Sequence, residues 1–421
     1  MRTLISCVGD TDPIRNYHDG PLLHIVRNEK PEKIILIHSE RSASKHDAIE
    51  KAIRVIPDYE AEIVMHPATI KDSDVFLFDK MFEMLSGIVL GYYKHEEEIL
   101  LNLTSATPQI ISAMFAINRI AGLNVRAFQV ATPANRSNEG IRHESNEDID
   151  TLISLNVDNQ VEFESRLIED KGEQFNQILL KKTLLDLLDQ YDYEGVYELS
   201  VKHRILSKKK RSTVNRKLEN VLNMIRYQML LPEVEGLKIP HEEKVLLNGY
   251  LIIAIQAKRK LTSEVLIRIQ NIAEYTLEYY LNKNIPGLIR YDDDNKPFIN
   301  GEAFPAIDEH IKREQKNKFQ VSYLNLHKYI GVLEYLAAHP GEHKNTMDVE
   351  RLLDQARKIQ GARKHRNTLA HRMDALNPKQ IRLNDWVETT RQMIALLIRP
   401  EDKWHSYFEN LNREMESLIT D

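Results

Sequence analysis

"EILLNLTSATPQIISAMFAINRIAGLNVRAFQVAT", residues 98–132, holds one full turn of an alternating pattern. EILLNLTS (98–105) is a short apolar run ending in small polar residues, as expected of a strand buried on both faces. PQIISAMFAINRIAG (108–122) then repeats apolar residues at helical spacing. Pro108 favours the first turn of that helix, and Ser105 and Thr107 are placed to cap it. NVRAFQVAT (124–132) returns to a strand pattern. Strand, polar loop, helix and strand imply a parallel pair joined by a crossover helix.

The same alternation fills the chain from residue 1 to about 165. TLISCVG (3–9), KIILIHS (33–39) and AEIVMH (61–66) read as further strands, and GPLLHIVRNE, SKHDAIEKAIRVI and FLFDKMFEMLSGIVLGYY as the helices between them. The expected fold is α/β, a doubly wound parallel sheet whose ligands bind at the carboxyl ends of the strands. The loops there are GDTDP (9–13), NYHDG (16–20), His38-Ser39, NLTSATPQ (102–109) and ATP (131–133). All are small and polar, and hydroxyl residues at a helix N-terminus suit phosphate or ribose oxygens. Singly, each is as well explained by an ordinary turn or cap. The G-x-G-x-x-G fingerprint is absent, because Thr11 and Ile14 stand where its later glycines would, and the P-loop spacing is absent too.

Past residue 165 the strand signals vanish and helical periodicity takes over. A helical connector is expected at 166–240 and an all-α domain at 241–421. Most polar clusters there have plain explanations. SKKKRS (207–212) reads as a solvated turn, with RNA contact as the alternative. The acids of DDD (292–294) point in different directions and read as a loop. EYTLEYY (274–280) reads as helix packing, and the 16 histidines include no HExxH or Cys/His cluster, so no metal site is expected.

Length and composition bound the rest. A chain of 421 residues exceeds one ordinary hydrophobic core. A hydrophobic content of 42%, a charged content of 29% and a net charge of −6 describe a globular protein, on which any nucleic-acid site must be a local basic patch. The single cysteine, Cys7, allows no intrachain disulfide and suggests a reducing compartment. No run is apolar enough to span a bilayer, and the opening MRTLISCVGD is too short in apolar residues for a signal peptide. The expectation is a cytoplasmic protein without a membrane partner.

RKHRNTLAHRM (363–373) is basic or amide-bearing at most positions and holds no carboxylate. On a helix, Asn367 and His371 share a face, with Arg363 and Lys364 flanking it and Arg366 at its other border. Histidine can take or give a proton, arginine can neutralise a phosphorane-like transition state, and asparagine can orient a ribose or phosphate oxygen. These groups suffice for metal-independent RNA cleavage by attack of the 2′-hydroxyl, although an Arg and a His five apart also arise by chance. One helix supplies half a site, so two copies converging across a two-fold axis are expected, a homodimer.

VGDTDP (8–13) and NLTSATPQI (102–110) in an N-terminal doubly wound domain, followed by RNTLAH (366–371) in a helical domain, resemble the CARF–HEPN ribonucleases. The nearest likeness is to the stand-alone ancillary RNases of type III-A CRISPR systems, and it covers essentially the whole chain. The resemblance implies a Rossmann-like CARF sensor domain at 1–165 and a HEPN-like nuclease domain at 241–421. It makes RNTLAH the R-x4–6-H signature, with Arg366 and His371 catalytic, Asn367 supporting and Arg363 and Lys364 contacting single-stranded RNA. The product would carry a 2′,3′-cyclic phosphate. It implies an allosteric activator, cyclic oligoadenylate with the hexa-adenylate ring expected, and otherwise no cofactor. Gly9, Asp10, Thr11, Asp12, His18, Asp19, Ser39, Asn102, Ser105, Ala106, Thr107, Gln109 and Thr132 would line its site. Slow cleavage of the ring there would involve Thr107, and no stable association with the CRISPR effector complex is implied. Two rivals are a non-enzymatic, cyclic-nucleotide-sensing dimeric regulator and an RNase that needs no activator.

Overall fold

The computed structural model describes residues 1–93, 98–120, 125–133, 148–160, 162–313, 323–340, 346–368, 377–398 and 402–420. They form two compact units, Met1–Asn176 and Gln177–Asp421. Among the described residues no helix is long and apolar enough to cross a membrane.

The first unit runs β1 (Arg2–Cys7), a small hairpin of β2 (Ile14–Arg15) and β3 (His18–Asp19), α1 (Pro21–Glu29), β4 (Lys33–Ile37), α2 (His46–Arg54) and β5 (Glu62–Met65). It continues with α3 (Phe78–Tyr92), β6 (Glu98–Asn102), α4 (Pro108–Ile120), β7 (Val125–Val130), α5 (Ile149–Leu155) and β8 (Leu167–Glu169). The sheet order is β5-β4-β1-β6-β7-β8. The first five strands are parallel, as the sequence predicts, and β8 closes the edge antiparallel to β7.

The central strands have apolar middles because each feeds two cores. In β1, Leu4 enters one and Ile5 and Cys7 the other; in β4, Ile34 and Leu36 oppose Ile35 and Ile37. Successive side chains of a strand leave on opposite faces, so burial on both erases the polar alternation. The chain passes from β1 outward to β4 and β5, then returns to the other side of β1 as β6. That reversal opens a crevice between the carboxyl ends of β1 and β6, where sheets of this kind take ligands.

The second unit is mainly helical, with principal helices Tyr193–Lys202, Lys208–Tyr227, His241–Lys258, Thr262–Asn284, Leu326–Ala338, Thr346–Gln360, Leu383–Ile398 and Tyr407–Thr420. One hydrophobic core runs through it from Leu184 to Ile419. The helices expected to form a separate connector therefore share their core with those that follow.

Two local expectations change. Short strands do occur past residue 165: β8, which Arg126 on β7 grips through Glu169 at 2.8 Å, and an antiparallel pair, Ile289–Tyr291 with Pro297–Ile299. Three residues are too few to show a period of two. SKKKRS is no turn: Ser207 caps helix Lys208–Tyr227, whose first turn is Lys208–Arg211. The DDD loop, by contrast, is as expected, with Asp292 Oδ1 accepting from the amides of Asp294 (3.0 Å) and Lys296 (2.8 Å). Thr276, Leu277 and Tyr280 of EYTLEYY are buried in packing.

Candidate ligand site and candidate active site

At the crevice, the loop after β1 and the loop after β6 press together. A Cβ on Gly9 would lie 2.6 Å from the Ala106 nitrogen, so only glycine allows this approach. Ala106 itself has φ +86°, a left-handed conformation that costs a non-glycine residue free energy and survives only where its surroundings enforce it. Asp12 fixes the β1 side of this contact. It is buried, and its Oδ2 accepts from Gly9 N (2.9 Å) and its Oδ1 from Leu22 N (3.0 Å). Burial raises its pKa above the usual carboxylate value, against hydrogen bonds from Gly9, Ser105 and Leu22 that lower it.

Several residues expected to face a ligand are scaffold instead. Asn102 is buried; it donates to Ser6 Oγ (2.9 Å) and Ser105 Oγ (2.8 Å) and accepts from the amides of Thr104 and Ser105. Asp19 is buried with its two oxygens held by Arg27 (2.7 and 3.1 Å) and Asn156 (2.6 Å). His18 lies 3.5 Å from Asp158, which also receives Arg166 at 2.9 Å. Asp19, His24 and Asp158 bring potential metal-ligating atoms close together, but Arg27 and Arg166 already supply the compensating charge.

Of the residues expected at the ligand site, Asp10, Thr11, Ser39, Ala106, Thr107, Gln109 and Thr132 are partly or fully exposed. The Thr107 hydroxyl donates to the Val75 carbonyl at 2.9 Å. One cation escaped sequence reasoning. Lys45 Nζ reaches across to the carbonyls of Gly9 (3.1 Å), Asp10 (2.9 Å) and Asp12 (3.3 Å). Burial lowers its pKa, opposed by Asp10 and Asp12. Nothing in SASKHD marks it, since its partners lie over thirty positions away in sequence. Partial positive charge, backbone amides and hydroxyls at one crevice suit a phosphate-bearing ligand.

In the second unit, RKHRN forms a short helix, Arg363–Asn367, following Thr346–Gln360. Arg363, Arg366 and Asn367, three and four positions apart, line a cleft of about 290 Å³ with Gln270, Asn325, Leu326, His327 and Gln360. His365 turns away to Trp386, its ring 5.7 Å distant. Lys364 is exposed and is not among the lining residues. His371 lies outside the described residues.

The cleft is held by polar contacts. Arg366 Nη1 donates to Gln270 Oε1, and Gln270 Nε2 donates to Glu274 Oε1 at 2.7 Å. The same carboxylate oxygen accepts from Leu326 N at 2.9 Å. Asn325 caps helix Leu326–Ala338, and Gln360 Nε2 lies 3.2 Å from His327 Nδ1. His327, Gln360 and Gln270 were not anticipated, because each stands alone in its stretch of sequence. Two guanidiniums, several amides and an imidazole form a donor set suited to a phosphodiester.

The Cas_Csm6 HEPN domain model matches residues 232–416 and the Cas_Csm6 CARF domain model residues 60–167. A CRISPR system endoribonuclease Csm6 of Streptococcus thermophilus is 34% identical over the whole of both chains. A Csm6′ endoribonuclease of the same species is 46% identical over 69% of this chain and 75% of its own length. The solved structure of Enterococcus italicus Csm6 bound to cyclic hexa-2′-fluoro-hexa-dAMP has a TM-score of 0.74 and 23% identity, covering 99% of this chain and 100% of that one, a likeness of fold. A CARF-type sheet unit, a HEPN-type helical unit and a relative matched over its whole length agree: this chain belongs to the Csm6 family of CRISPR system endoribonucleases.

Proposed function

We propose that this chain is a metal-independent endoribonuclease for single-stranded RNA, switched on when cyclic oligoadenylate binds its first unit. The observation that carries the catalytic half is the shared cleft of Arg366 and Asn367, lined among the described residues by amides, arginines and a histidine but no carboxylate. The RNA 2′-oxygen attacks the adjacent phosphorus, forming the O2′–P bond and breaking P–O5′. One group removes the 2′-proton, another protonates the departing 5′-oxygen, and a 2′,3′-cyclic phosphate and a 5′-hydroxyl result. Arg366 neutralises charge growing on the equatorial oxygens, Asn367 orients one of them, and His371 handles a proton. Arg363 and Lys364 attract the RNA backbone. A homodimer would pair two such helices into one composite site. The protein would act in the cytoplasm, where an RNase of antiviral defence meets its substrate.

The sensing half rests on the crevice between β1 and β6, where Gly9 packs against Ala106 and Lys45 holds the carbonyls of Gly9, Asp10 and Asp12, with Thr11, Ser39, Thr107 and Gln109 partly exposed just past the ends of the strands. The Enterococcus italicus relative is named as bound to a six-membered cyclic adenylate analogue, which makes the hexa-adenylate ring the first ligand to test. Ring cleavage through Thr107 would require its hydroxyl to leave the Val75 carbonyl.

The catalytic assignment is tested by RNA cleavage in EDTA with activator present. Arg366→Ala and His371→Ala should each lose at least about 10²-fold in kcat, the scale of one oxyanion donor. End analysis should show the 2′,3′-cyclic phosphate. Full activity in both variants would leave the non-enzymatic sensor as the better reading.

A further inference from the structure

Arginine works on a phosphodiester by charge, and charge is easily cancelled by whatever holds the arginine in place. At Arg366 the structure avoids this. The group that meets its Nη1 is the neutral carbonyl of Gln270, while the carboxylate of Glu274 stands one step behind, receiving Gln270 Nε2 at 2.7 Å. A primary amide can be flipped, so which end faces the arginine must be decided by something else. Glu274 decides it: a carboxylate offers only acceptors, so it takes the NH2 end and turns the carbonyl to Arg366. Its Oε1 is fixed in turn by Leu326 N at 2.9 Å, at the start of the helix that carries His327 into the same cleft.

We infer that Gln270, oriented by Glu274, is a positioning residue that aims the Arg366 guanidinium at the scissile phosphate while leaving its positive charge undiminished. A direct carboxylate partner would hold the side chain as well but would spend its field on an ion pair. The inference rests on the proposed role of Arg366 and adds a residue pair outside the nuclease signature.

Among the charged groups packed around this pair, Glu274 also acts on the Tyr329 hydroxyl, whose pKa burial and the Glu278 and Glu274 charges raise. Glu278, one turn along, is engaged by Tyr291 (2.6 Å) and Tyr329 (2.8 Å). Arg363 and His327 face the cleft from their own helices. Glu243 on helix His241–Lys258 pairs with Lys283, Glu388 on helix Leu383–Ile398 with Arg391, and Arg290 on the short strand Ile289–Tyr291 with Glu302. Asp348 on helix Thr346–Gln360 stands near Tyr280, beyond Glu278.

Two substitutions in the full-length chain test this, with activator at saturation and thermal unfolding as a check of folding. Gln270→Leu should lower kcat by about 10-fold or more with KM for RNA little changed, because binding contacts survive and aim does not. Gln270→Glu is the decisive variant. At about pH 8 a second carboxylate would sit against both Glu274 and Arg366, and kcat should fall. Glu274 raises the pKa of the introduced carboxyl and Arg366 lowers it, so it takes up its proton near or somewhat above the ordinary glutamate range. As pH falls toward about 5.5, the introduced carboxyl, once protonated, would donate to Glu274 and offer its carbonyl to Arg366, so the ratio of variant to wild-type kcat should climb. A purely structural role predicts a ratio flat with pH. Wild-type kcat in Gln270→Leu, or a flat ratio in Gln270→Glu, would overturn the positioning role. Arg366→Ala runs alongside: if it remains active, the catalytic reading itself fails, whereas an inactive Arg366→Ala beside unaffected Gln270 variants sinks only the positioning claim.

Discussion

Single residues divide into those that hold the shape and those left to do chemistry. Gly9 is a shape residue, since the Ala106 nitrogen leaves no room for a methyl group. Gly9→Ala should therefore weaken cyclic oligoadenylate binding by about 10-fold or more, a loss of about 1.4 kcal/mol by calorimetry, while RNA cleavage measured without activator stays at the wild-type rate. Asp19 is another. Burial pushes its carboxyl up, but hydrogen bonds from His24 and Arg27 and the Arg27 charge outweigh this and hold it below the usual range. A lowered carboxyl contributes stability that is present above its unfolded value of 3.8 and is lost as pH falls through the folded one. Asp19→Asn should cost about 3–5 kcal/mol at pH 7, because Arg27 would be left buried without its partner. Urea denaturation should show that gap narrowing below about pH 4. A gap independent of pH would mean that the ion pair is not what Asp19 contributes.

The elements were legible in proportion to their length and to how fully one environment decided each residue. β1, β4 and β6 are apolar at their centres because two cores claim alternate side chains there, which erases the polar alternation of a half-exposed strand. Ile35→Ala, at a site with no solvent exposure, should cost about 2–5 kcal/mol in denaturant midpoint measurements. By contrast β8, and the hairpin Ile289–Tyr291 with Pro297–Ile299, owe their pairing to contacts that three residues are too short to announce. The site followed the same rule. The loops GDTDP and NLTSATPQ could be located, because strand ends in a doubly wound sheet are where ligands go. Which of their residues face outward could not, because Asp12 and Asn102 are consumed by hydrogen bonds that only the fold creates. RNTLAH stands out in sequence as a motif, whereas Lys45, Gln270 and His327 reach the candidate sites through tertiary packing alone.

For the whole molecule, the proposal joins a ligand crevice in the first unit to a nuclease cleft in the second. Joining them means a coupling free energy, about 1–3 kcal/mol for ordinary allostery, or roughly 5–150-fold in activity at subsaturating ligand. A ring with two-fold symmetry, bound between two copies, has the differential affinity needed to favour one arrangement of a dimer. The most direct measurement is cleavage of a fluorogenic single-stranded RNA by the full-length chain in EDTA. It is made without ligand, with cyclic tetra-adenylate and with cyclic hexa-adenylate, beside Arg366→Ala. Stimulation of about 10-fold or more by the hexa-adenylate ring, abolished in Arg366→Ala, is the predicted result. Equal rates in all three conditions, or a stimulated rate that Arg366→Ala retains, would contradict it.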